Sequence, residues 1–138
     1  MKKLFFLILV LAFEFSFAQI EGGDYTGKFI EHYDYSVSRD TYLPTDEDSG
    51  WLDMEFFFDP YGEYYSVSVD GGDFTKFWYE YKGKKTFDGS KCDEYHIEDG
   101  RMLLIDYDSN ELLFFYDEDS RTNIYQSLTI VSKIEKDD

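Results

Sequence analysis

Residues 101–117 read RMLLIDYDSNELLFFYD. Two apolar runs, 102–105 and 112–116, flank a polar centre, and two structures compete for that pattern. One is a twelve-residue calcium loop starting at Asp106, with Asp106, Asp108 and Asn110 as its first three oxygen ligands. That reading fails at Glu111, which stands where the loop needs glycine for its sharp turn. Asp117 is also a shorter carboxylate where a bidentate glutamate belongs. The other structure is a β-hairpin. Alternate residues of a strand share a face, so period-two acidic residues need no metal to explain them. Asn110 tolerates the left-handed conformation that closes a three-residue loop, Asp108–Ser109–Asn110. This hairpin pairs Ile105 with Leu113 and sets Arg101 opposite Asp117. Calcium remains only as a surface ion held by Asp106, Asp108 and Asn110.

The same grammar runs outward along the chain. Turn signals recur as DEDSG (46–50), DPYG (59–62), DGGD (70–73), KGK (82–84), EDG (98–100) and DSN (108–110). Short segments rich in Tyr, Phe, Val, Ile and Thr lie between them, and none carries a helical period. About eight antiparallel strands follow, near 25–38, 50–58, 63–70, 74–81, 93–98, 101–107, 111–117 and 123–134. Residues 39–49 and 82–92 read as longer loops. An eight-stranded meander removes its edges by closing into an up-and-down barrel, with a two-sheet sandwich as the second choice. In architecture alone, and on no shared motif, such a barrel is similar to the lipocalins. MEFFF (54–58), MLLI (102–105) and LLFFY (112–116) are apolar at successive positions, so something must cover both of their faces. A second copy of the chain, in a homodimer, is one way to do so.

The N-terminus carries a different signal. Lys2 and Lys3 precede the apolar run LFFLILVLAF (4–13), and Ser16 and Ala18 are small residues at the two positions that direct cleavage. Residues 1–18 therefore read as a cleaved secretory signal, and 19–138 as a single all-β domain. The run is too short to span a bilayer, which takes about 20 apolar residues. The expected location is the periplasm or the extracellular space.

Removal of Lys2, Lys3 and Glu14 from 13 basic and 30 acidic residues leaves 11 against 29, a net charge of −18. That charge opposes nucleic acid and anionic membranes, both polyanions. Cys92 is the only cysteine, so no internal disulfide forms. His32 and His96 stand in no metal-ligand spacing, and no nucleophile elbow, zinc signature or phosphate loop occurs. Catalysis is thus weakly supported. The acidic runs 46–48 and 117–119 read as solvated loop charges.

One basic island interrupts the acid: Lys76, Lys82, Lys84, Lys85 and Lys91. Lys82, Lys84 and Lys85, with Trp78 and Tyr81 beside them, form a candidate ligand-binding set at a barrel mouth. The leading expectation is an exported, non-catalytic barrel binding an apolar or amphipathic small ligand. The alternatives are an acidic protein docking or inhibiting a basic partner, and a calcium-stabilised carbohydrate-binding module using Trp51 or Trp78.

Overall fold

The hairpin of 101–117 forms, but one residue out of the expected register. In the computed structural model, Leu104 pairs with Leu113, Ile105 with Leu112 and Asp106 with Glu111. The loop therefore has four residues, 107–110. Asp106 sets it by accepting hydrogen bonds from the N–H groups of Asp108 (3.1 Å) and Ser109 (3.4 Å). Asn110 closes it in the left-handed region (φ 55°). The single step matters, because a one-residue slip moves every side chain of a strand to the other face.

The structure describes residues 19–47 and 49–137. The expected signal segment, 1–18, lies outside the described residues, as do Asp48 and Asp138. Ten strands occur among the described residues: β1 (Gly23–Ser36), β2 (Thr41–Pro44), β3 (Gly50–Asp59), β4 (Tyr64–Val69), β5 (Thr75–Phe87), β6 (Ser90–Ile97), β7 (Met102–Asp106), β8 (Glu111–Asp119), β9 (Ile124–Ser132) and β10 (Glu135–Lys136). All pairings are antiparallel. Eight strands follow one another as a meander, β1-β3-β4-β5-β6-β7-β8-β9, and β9 returns to β1 to close the barrel. The sandwich is thereby set aside. The turns β3–β4, β5–β6 and β7–β8 lie at one end; β4–β5, β6–β7 and β8–β9 lie at the other.

Closure depends on the length of β1. Residues 23–30 pair with β3 on one edge, and residues 29–34 pair with β9 on the other. Gly27 stands where β1 is crowded from the β9 side. A Cβ there would come within 2.7 Å of Val131 Cγ1 and 2.9 Å of Ile134 Cδ1, so a larger residue would force the two apart.

Two expected loops are strands. Residues 82–92 continue β5 and begin β6, joined by Asp88–Gly89. Both turn residues have positive φ (47° and 80°), the mark of a two-residue type I′ hairpin turn. Within 39–49, residues 41–44 form β2, which folds back on the far end of β1.

The two faces of the sheet bury two separate clusters. The lumen is aromatic: Phe56, Phe58, Tyr65, Tyr79, Tyr95 and Phe114 are all buried, with Leu103, Ile105 and Leu112 among them. Each such side chain removed from water stabilises the fold by roughly 1.5–3 kcal/mol. Outside, Met102, Leu104, Leu113, Phe115 and Leu128 form a second buried patch on β7, β8 and β9. The extended arms cover it. Tyr42 of β2 packs edge-on against Phe115 at 5.5 Å, and Phe87 of the β5–β6 arm does so at 5.2 Å. The Tyr42 hydroxyl donates to the Tyr125 carbonyl at 2.7 Å, fixing the arm in place. The chain itself thus supplies the cover that successive apolar residues in 102–105 and 112–116 require.

Candidate functional site

At the end where β6 turns into β7, an arginine enters the apolar lumen. Gly100 takes a positive φ (95°) in that turn, and Arg101 is the next residue. Asp99 aims it from two sides: its carboxylate accepts the Arg101 backbone N–H at 3.1 Å and the Nε–H at 2.8 Å. Nη2 donates to the hydroxyl of Tyr65 at 2.8 Å. The guanidinium carbon lies 4.6 Å from the Phe77 ring centre and 5.5 Å from that of Phe114. Stacked aromatic faces and a buried phenol thus hold the cation, as guanidinium planes prefer. Burial pushes the Tyr65 hydroxyl up to about 12, and the neighbouring guanidinium only partly offsets this.

A cavity of about 300 Å³ adjoins this arginine. Its floor is Phe56, Tyr65, Phe114 and Val131, all buried. Ile30, Met54 and Val67 form a half-buried rim, so the cavity opens to solvent on that side. A small polar chain also reaches the cavity: His32 Nδ1 lies 2.9 Å from Thr129 Oγ1, which donates to the Tyr116 hydroxyl at 3.4 Å. The result is an apolar slot with one guanidinium on its wall.

The other end of the barrel is occupied. Ile20 is buried there, and its N–H donates to the Tyr95 hydroxyl at 2.9 Å. Beside it, Asp93 is fully buried on β6 and accepts from Tyr81 (3.1 Å) and Tyr107 (2.6 Å). Lys84 Nζ completes the group, 2.5 Å from Asp93 Oδ1. The Tyr107 ring is 43% exposed, but its hydroxyl turns in against Asp93, and loss of water there, then the bond to Asp93, keeps it protonated. A wider surface trough of about 780 Å³ runs along this end past Glu21, Pro60 and the fully exposed Tyr61.

The residues singled out by sequence do not form one site. Tyr81 and Lys84 belong to the Asp93 group, at the end away from Arg101. Lys82 points outward and pairs with Glu80 at 3.1 Å. Lys85 reaches the Met102 sulfur at 3.9 Å. Trp78 is 47% exposed on the outer face of β5, edge-on to Tyr64, with Lys76 Nζ 4.1 Å above its ring centre. None of the five lines the Arg101 cavity. Asp106 and Asn110 shape the β7–β8 turn, and Asp108 is exposed in it. Among the described residues, no group of three or more His, Cys, Asp or Glu side chains is arranged to hold a metal ion. Trp51 is 73% exposed and sits edge-on to Phe29 at 5.3 Å. Cys92 lies in the buried outer patch, where burial raises its thiol to about 11, and His96 pairs with Glu94 at 2.6 Å. Neither arrangement activates a nucleophile.

The hairpin expected from sequence sets Arg101 opposite Asp117, whereas its guanidinium turns to Tyr65 and Phe77. The available signal was a lone cation directly after a glycine turn, opening an apolar strand at an inward position. No family model, curated protein or solved structure matches the chain.

Proposed function

We propose that the protein is an exported, non-catalytic β-barrel that binds a small apolar or amphipathic ligand in the lumen, at the β6–β7 end. The observation that carries this reading is the cavity of about 300 Å³, apolar on its floor and rim, with Arg101 as its cation. Ligand sites are mostly apolar clefts with a few placed polar groups, and about 300 Å³ is at the small end of their range. A carbohydrate-binding surface on the outer aromatic row of Tyr64 and Trp78 is less favoured. The Lys76 ammonium already sits over both rings, at 3.9 and 4.1 Å, on the faces a sugar would stack against.

Thermal unfolding of the mature chain with octanol and octanoate tests the reading, since a ligand of the native state raises Tm by mass action. Val67→Phe fills the rim of the cavity. The expected result is a ligand-induced rise in wild-type Tm that the filled variant loses while keeping its barrel spectrum. An equal response in the two proteins, or no response to any alkyl ligand, would overturn it.

A further inference from the structure

We infer that the lumenal ligand carries a carboxylate head, seated on Arg101 with its apolar body over Phe56 and Phe114; this rests on the lumenal-binding reading above. The guanidinium has five N–H donors in a fixed fork. Asp99 takes Nε and Tyr65 takes one donor of Nη2, while Nη1 has no partner among the described residues. A planar carboxylate matches the remaining fork in a bidentate way. The side chain is 25% exposed, so a ligand's head can reach it without the barrel opening.

Charge limits the head further. Asp99 already offsets the guanidinium, and the mature chain carries 29 acidic residues against 11 basic. A monoanion can share Arg101 with Asp99, whereas a dianionic phosphate would meet uncompensated repulsion. Asp99 is therefore a resident competitor. It lies in an exposed turn, two residues from its partner, where an ion pair holds only weakly.

The test compares octanoate, octanol and octyl phosphate by calorimetric titration on wild type, Arg101→Gln and Asp99→Asn. Wild type should prefer octanoate to octanol by about tenfold or more, the worth of a charge-assisted hydrogen bond in a partly dry site. Octyl phosphate should bind no better than octanol. Arg101→Gln should weaken octanoate far more than octanol, so that the preference is lost. Asp99→Asn, which keeps an acceptor oxygen for Arg101, should tighten octanoate more than octanol, which decides the matter even if Arg101→Gln does not fold. Equal binding of octanoate and octanol to wild type would sink the carboxylate head and leave the apolar site standing. Binding of neither would remove both. Octanoate unchanged or weakened in Asp99→Asn would also overturn the inference.

Discussion

A single buried carboxylate shows how this chain places charge. Asp93 is fully buried, yet it accepts two tyrosine hydroxyls and sits against the ammonium of Lys84. Burying an unpaired carboxylate is costly, and removing one partner of a buried pair commonly destabilises by about 3–5 kcal/mol. Lys84 is 42% exposed, and the two hydroxyls would remain. Lys84→Met should therefore cost less, about 2 kcal/mol in chemical denaturation, and Lys82→Met should cost almost nothing. Equal effects of the two would show that the Asp93 group contributes no special stability. In the sequence both lysines fall in one expected loop, because spacing alone cannot tell an inward from an outward residue across the bulge between Tyr81 and Gly83. Arg101 was hidden for a related reason. Its partners Tyr65 and Phe77 are distant in sequence, and only the closed barrel brings them together.

At the scale of elements, most of the fold was legible. Alternation and turn residues gave the meander, and the successive apolar residues of β8 correctly demanded cover on both faces. What the pattern could not show was where that cover lies. It comes from two arms, β1–β2 and β5–β6, whose tips meet over Phe115: Tyr42 and Phe87 are 6.4 Å apart there. The β5–β6 arm was hidden because glycine between lysines, at 82–84, reads as a turn, although Gly83 sits at a bulge and the turn is Asp88–Gly89. An Asp-Gly pair is itself a strong hairpin signal. Register slipped by one residue at the β7–β8 turn because Tyr107 could extend the strand or begin the loop, and only the four-residue loop capped by Asp106 sets Leu112 opposite Ile105. Tyr42→Ala removes the clasp. It should lower stability by about 2–3 kcal/mol, less than a fully buried aromatic because Tyr42 is only partly buried. The uncovered Phe115 should also drive self-association, read by light scattering. A monodisperse variant of wild-type stability would show that β2 does not cover the patch.

At the scale of the whole molecule, tyrosine sets a limit on alkaline stability. Burial is the leading cause in each case and raises Tyr25, Tyr33, Tyr42, Tyr65 and Tyr81 to about 12. In the unfolded chain these hydroxyls ionise near the ordinary value of about 10. The stabilisation from holding them neutral is complete below pH about 10 and is lost as pH rises toward about 12. Each deprotonation also adds to the net charge of −17 on the full sequence. Ultraviolet titration should therefore show most tyrosines ionising late and together with loss of the fold, whereas the chain in denaturant titrates smoothly near pH about 10. Early, gradual ionisation in the native protein would mean that the lumen is wetter than its packing implies.

The most direct test of lumenal binding is a magnetic-resonance titration of isotope-labelled residues 19–138 with octanoate. The expected result is that shifts concentrate on Met54, Val67, Phe114, Thr129 and the Arg101 side chain, with the Asp93 end little changed. Shifts confined to the outer row of Tyr64 and Trp78, or to the Lys84–Tyr107 end, would contradict it, as would a spectrum that octanoate leaves unmoved.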